Sequence, residues 1–141
     1  MKSKSLDVVL KTFDHTRFHR ECKLFTWHPR GEFDDALADE IVGLIESEEQ
    51  FHETPFSRYT DLSQLTNIRL KIGHVFQIAE RRREVPLPVK SAIFADSTVG
   101  FGIARMYESL MEGAPIHVRA FRERTDAAQW LGVPVDVLQP G

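Results

Sequence analysis

Cysteine is almost missing from this chain: Cys22 stands alone in 141 residues. No internal disulfide can form, and a reducing compartment is the natural setting for such a protein. No apolar run approaches the length that crosses a bilayer. The leading segment MKSKSLDVVLKTF carries basic residues, but Asp7 and Lys11 break its apolar part, so it does not read as a signal peptide. Excess charge of one sign is also lacking, with a formal net charge of −3 and no strong imbalance between the halves. Nothing there draws the chain to nucleic acid or to an anionic bilayer. A cytoplasmic location is expected. Repeats and low-complexity tracts are absent. So is a G-x-S-x-G elbow, and no lysine follows Gly102 as a P-loop would require. What is present is an ordinary mixture, 42% hydrophobic and 28% charged. That suits one domain over residues 1–141, with a core over about 13–132.

The chain is organised around residues 89–122. Val89 to Ala95 is apolar and β-branched enough for a strand buried on both faces. Asp96, Ser97 and Thr98 supply short polar side chains that cap a helix start. Ile103, Tyr107, Leu110 and Met111 recur at helical spacing, Gly113 closes the helix, and Ile116, Val118 and Phe121 resume an extended pattern. This predicts a βαβ unit with parallel strands.

Before it, residues 1–12 read as a frayed end or a first strand, and Phe13 to Trp27 as a hairpin at a sheet edge. Phe33, Leu37, Ile41, Leu44 and Ile45 predict a helix with Glu46, Glu48 and Glu49 outside. Phe56 to Leu62 is a strand. A second helix is expected from about Asn67, capped by Thr66 or Asn67, with Leu65, Ile68, Ile72, Val75, Phe76 and Ala79 on one face. Arg81, Arg82 and Arg83 would form its solvated end. Thr125 to Leu131 predicts a last helix ended by Gly132. Residues 133–141 form an extended tail, lying on the core or at a partner surface. The expected fold is α/β, with a mostly parallel mixed sheet of about five strands, a hairpin edge and about four helices.

Several segments together resemble a known family. They are the strand ending in Asp96, then Gly100-Phe101-Gly102, Ala104-Arg105-Met106-Tyr107-Glu108, Val118-Arg119-Ala120-Phe121-Arg122 and Trp130-Leu131-Gly132. With the earlier Asp61-Leu62-Ser63, they are similar to the SpoIIAA-like proteins of the STAS superfamily over residues 56–132, and by topology over 13–55. The resemblance implies a compact layered fold without known catalysis. Its wider relatives include phosphorylatable anti-sigma-factor antagonists, cytoplasmic domains of anion transporters and proteins similar to CRAL-TRIO-type lipid carriers. Some SpoIIAA-like members bind apolar ligands or membranes through a cleft beside mobile helices. In the antagonists the phosphorylated serine lies in an Asp-Ser-Ser-Gly segment after the third strand. This chain has Leu65-Thr66-Asn67-Ile68 there, and Asp96-Ser97-Thr98 comes one strand later.

The expected function is therefore non-enzymatic binding, with no catalytic residues, at a rim where strand ends meet helix starts over residues 61–67 and 96–102. The ligand-binding set is Asp96, Ser97, Thr98, Gly100, Phe101, Gly102, Arg105 and Tyr107. Hydroxyls and glycine amides would donate, Arg105 would neutralise charge, and Phe101 and Tyr107 would form an apolar wall. The plainer reading makes Ser97 a cap and Arg105 half of a surface ion pair with Glu108. Geometrically, the expectation puts Asp61 and Asp96 side by side on one rim. The ligand would be small and anionic or amphipathic, or a partner protein. The alternative is an interaction module switched by phosphate on Ser63, Thr66 or Ser97. Contact with a membrane surface through Arg81–Arg83, and a homodimer, stay open.

No cofactor is expected. His15, His19, Cys22 and His28 invite a metal only if their segment is helical, and as edge-strand residues they predict none. Phe51, Phe56, Phe76, Phe94, Phe101, Tyr107 and Phe121 are core unless several line a gap between the second and third helices.

Overall fold

The computed structural model describes residues 15–140. The segment 1–12, whose sequence left open a frayed end or a strand, lies outside them. The strands are β1 (Thr16–His19), β2 (Leu24–Trp27), β3 (Gly31–Asp34), β4 (Ser57–Asp61), β5 (Leu65–Arg69), β6 (Lys90–Phe94) and β7 (His117–Phe121). The helices are α1 (Asp35–Phe51), α2 (Ile72–Arg83), α3 (Thr98–Leu110) and α4 (Arg124–Leu131), followed by a 3₁₀ turn at Val135–Leu138.

Five strands form the main sheet in the order β1-β2-β4-β6-β7. The β1–β2 pair is antiparallel and all other neighbours are parallel, so the hairpin sits at one edge as expected. Every residue of β2 is buried, as a strand flanked by neighbours and covered on both faces requires. Alternation along β4 and β6 divides the core. Helices α1, α2 and α3 cover the face that carries Phe25, Trp27 and Ile93. The opposite face, with Leu24, Tyr59, Ala92 and Phe94, is covered by α4 and the 3₁₀ turn.

The βαβ unit over β6, α3 and β7 matches its sequence pattern. Ser97 caps α3 by accepting from the Gly100 amide at 3.0 Å. Helix α4 ends at Gly132 with φ of 74°, where the Val133 amide reaches back to the Ala128 carbonyl at 3.1 Å.

Four expectations are corrected. A second sheet, the parallel pair β3–β5, occupies segments read as a turn and a helix start. Phe33 therefore lies in β3, and α1 begins after Asp34, whose side chain accepts from the Leu37 amide at 2.9 Å. Thr66 and Asn67 lie within β5 and cap nothing; α2 starts only at Ile72. The three-residue step from Leu65 to Ile68 imitates a helical turn, and pairing with β3 overrides it. The tail is not extended throughout, because Leu138 turns inward, is fully buried and offers its carbonyl to His28 Nε2 at 2.8 Å. Finally, Phe51 and Phe76 are exposed rather than core.

Candidate functional site

At the carboxyl rim of the sheet, Asp61 is in register with Phe94, two residues before Asp96, so the two aspartates share one rim. They differ in every other respect. Asp61 has no exposed surface and each of its oxygens is occupied. Oδ1 accepts from the Ser63 amide at 2.9 Å and the Ser63 hydroxyl at 2.6 Å. Oδ2 accepts from the Tyr59 hydroxyl at 2.8 Å and Arg124 Nε at 2.8 Å. Burial by itself would raise the Asp61 pKa, but the bonds from Ser63, Arg124 and Tyr59 outweigh it and hold the carboxyl below its ordinary range. The Tyr59 hydroxyl is pushed up, by burial first and by Asp61 second.

Asp96, Ser97 and Thr98 are exposed. Gly100 is buried: a Cβ there would lie 2.9 Å from Ser97 Oγ and 3.2 Å from Ala95 Cβ. Phe101 is half-buried with the Arg122 guanidinium 4.1 Å from its ring centre, and Gly102 is exposed. Arg105 is exposed and pairs with Glu108 at 3.3 Å. The cation on Asp61 is Arg124, whose Nη2 also donates to Ser63 Oγ at 2.9 Å. Thr66, placed before a helix by the sequence, is exposed within β5, so a phosphate there would meet no helix end. His19 bonds Thr26 Oγ1 at 3.1 Å while His28 holds the Leu138 carbonyl, so these two rings brace β2. A wide groove beside β1 is lined by exposed polar groups, among them Arg17, Arg30 and Asp136, together with the buried His19, Thr26 and His28.

Another site lies inside the other face of the sheet. A mostly apolar cavity of about 140 Å³ opens between α1, α2, α3 and the strands. Trp27, Phe33, Ile41, Val75, Ile93 and Ala104 supply apolar wall. Arg58, Thr60, Ser91, Arg82 and Tyr107 bring polar atoms to the same lining. Of the eight residues expected at the rim, Tyr107 alone reaches this cavity.

Its polar end is built from three elements. Arg58 of β4 is 4% exposed and Arg82 of α2 also 4%. Between them stands Glu49 of α1, accepting from Arg58 Nη1 at 2.5 Å and from Arg82 at 2.5 and 3.1 Å. Arg58 Nη2 donates to the Phe56 carbonyl at 3.1 Å. Arg58 Nε, also buried, meets no acceptor among the described residues. Burial would raise the Glu49 pKa, yet the two guanidiniums bring it below the ordinary range. Burial pulls Arg58 down, though arginine stays charged through any accessible pH. The Tyr107 hydroxyl is pushed up to about 12, burial outweighing the charges of Arg82 and Arg58.

Glu49 and Arg82 thus correct two sequence expectations, since both were assigned to solvated helix faces. A signal existed. Arg82 continues the stripe Val75–Ala79 at four- and three-residue steps, and Glu49 lies one turn beyond Ile45. A charge in such a stripe is a buried charge.

No family model matches the chain, and no curated protein sequence matches it. A solved structure does. The crystal structure of an uncharacterised protein of the DUF3478 family from Shewanella loihica PV-4, with a SpoIIAA-like fold, aligns with a TM-score of 0.53. The alignment covers 82% of this chain and 90% of that one at 16% identity. The chain thus has a SpoIIAA-like α/β fold, as the sequence segments had suggested, and at this identity the likeness speaks to fold alone.

Proposed function

We propose that this SpoIIAA-like domain works by binding, not catalysis, and that it takes a small amphipathic guest whose apolar part occupies the cavity between α1, α2, α3 and the sheet. The observation that carries the reading is the cavity itself. Protein interiors are close-packed, and voids of this size are few. An apolar hollow of about 150 Å³ is enough to hold a benzene-sized molecule. Here one end of such a hollow is polar and charged. A buried ion pair is a poor source of net stability, because desolvation offsets the attraction. The fold gains little from keeping one there unless it meets something. This moves the docking place from the rim over 61–67 and 96–102 to the interior, with Tyr107 common to both.

Trp27 in the lining is a built-in reporter. Brominated short-chain amphiphiles should quench its fluorescence in a Trp130→Phe background, where it is the one remaining tryptophan. Filling the cavity by Ala104→Leu should abolish quenching, and Ala38→Leu should act in the same direction. Absence of quenching in the Trp130→Phe protein at near-saturating amphiphile would sink the reading.

The switched-interaction reading keeps support at Ser63. Its hydroxyl lies between a buried carboxylate and a guanidinium, so a phosphate there would stay near Arg124 while repelling Asp61.

A further inference from the structure

The charges at the polar end of the cavity are already matched among themselves. Glu49 accepts from both Arg58 and Arg82, and Glu46 accepts from Arg82 and from the half-exposed Arg81. A carboxylate or ammonium brought in from water would lose its hydration and find no counter-ion waiting. The ions therefore meet a guest as a polar wall, and its head group is selected by the other polar atoms of the lining.

Those atoms are hydroxyls. Thr60 of β4 and Ser91 of β6 both line the cavity, and Tyr107 of α3 adds a third. Ser91 is in register with Arg58 and Thr60 with Ile93, so Thr60 and Ser91 are diagonal neighbours on the face toward α1, α2 and α3. Ser91 is 9% exposed and Thr60 is half-buried. Neither hydroxyl has a hydrogen-bond partner among the described residues. Polar groups taken out of water are nearly always paired, and one left open costs stability. A serine or threonine hydroxyl both donates and accepts, so two neighbouring ones suit a group that does the same.

We infer that the guest is a small neutral alcohol or phenol, with a benzene-sized apolar body among Trp27, Ile41, Val75 and Ala104 and one hydroxyl bonded to Thr60 and Ser91. The size of the body follows from the volume of about 140 Å³. This inference rests on the proposed function, because it needs the cavity to be a binding site at all. It also sets this hollow apart from a purely apolar one. An apolar hollow prefers the hydrocarbon, since burying a hydroxyl without a bond is costly.

The test compares phenol, benzene, benzoate and benzylammonium on the full-length protein, followed by chemical-shift perturbation of amides flanking the cavity. Phenol should bind about tenfold more tightly than benzene, the margin of one good hydrogen bond, and the two ions more weakly than either. The double variant Thr60→Val, Ser91→Ala keeps the shape and removes both hydroxyls, so it should reverse the order and favour benzene. Benzene binding as tightly as phenol to the native protein overturns the hydroxyl inference and leaves the cavity reading standing. Tighter binding of either ion than of phenol does the same. No binding by any of the four overturns both. The comparison on the native protein decides the matter even if the double variant fails to fold.

Discussion

Arg58 Nη1 and Glu49 Oε2 are 2.5 Å apart, joining a strand in the middle of the sheet to the last turns of α1. Neither side chain is more than 7% exposed. Arg82 closes on the same carboxylate from α2, so one acidic group fastens two helices and the sheet together.

Losing that acid should be far worse than losing either base. Glu49→Ala leaves two buried guanidiniums facing each other and should lower the unfolding free energy by about 3–5 kcal/mol. Arg58→Met leaves Glu49 bound twice to Arg82 and should lose less than half as much. Urea unfolding of the two variants checks this, and equal losses would contradict the shared-acid arrangement.

Acid should destabilise the fold in a defined window. Asp61 and Glu49 both have folded-state pKa values below their ordinary range. As pH falls below about 4–5, the unfolded chain takes up protons that the folded one refuses, so unfolding is favoured. Above that range the contribution is fully present. Melting temperature should slip slightly below about pH 6.5, where His19, its pKa lowered by burial, resists a proton that the unfolded chain takes up, and decline more steeply below about pH 5. Asp61→Asn should be less stable at neutral pH and decline less steeply, and a decline parallel to the native protein's would contradict the depressed Asp61 pKa.

Two glycines of α3 should respond in opposite directions to alanine. Around Gly102 nothing lies within 4 Å of a new Cβ, so Gly102→Ala should gain about 0.5–1 kcal/mol from helix propensity. At Gly100 the new Cβ would meet Ser97 Oγ at 2.9 Å, and that oxygen caps the helix. Gly100→Ala should therefore destabilise, by about the 1 kcal/mol a lost cap costs, with Ala95 crowding added. Stabilisation by both would mean that Ser97 shifts freely and the cap matters little.

Ser63 separates the two functional readings. Ser63→Ala removes one bond to Asp61 and one from Arg124 and should cost about 1 kcal/mol. Ser63→Asp sets a second carboxylate against a buried one and should cost clearly more. A Ser63→Asp protein as stable as the native one would show that the position tolerates added negative charge, as a phosphate switch without unfolding requires.

Much of the fold was legible because its signals are local. Val89 to Phe121 carries its own strand, cap, helix and strand pattern, and Ser97 and Gly132 do what their types and positions imply. The pair β3–β5 was not, because segments over thirty residues apart supply each other's hydrogen bonds and neither has a strong pattern alone. The cavity's polar end failed for the same reason. Glu49 and Arg82 are 33 positions apart, and each stands in a run of like charges that reads as solvated surface. Only their phase against Ile45 and Ala79 marks them as inward. For Arg58 the sign is parity, since it shares a strand face with Phe56 and Thr60.

That parity has a practical consequence. Five consecutive residues, Ser57 to Asp61, form a partition wall whose two sides have separate duties. Anyone wishing to retune what the hollow accepts can vary Arg58 and Thr60, on the α1–α3 side. Tyr59 and Asp61, facing the other way into the Arg124 bonds, should be left untouched.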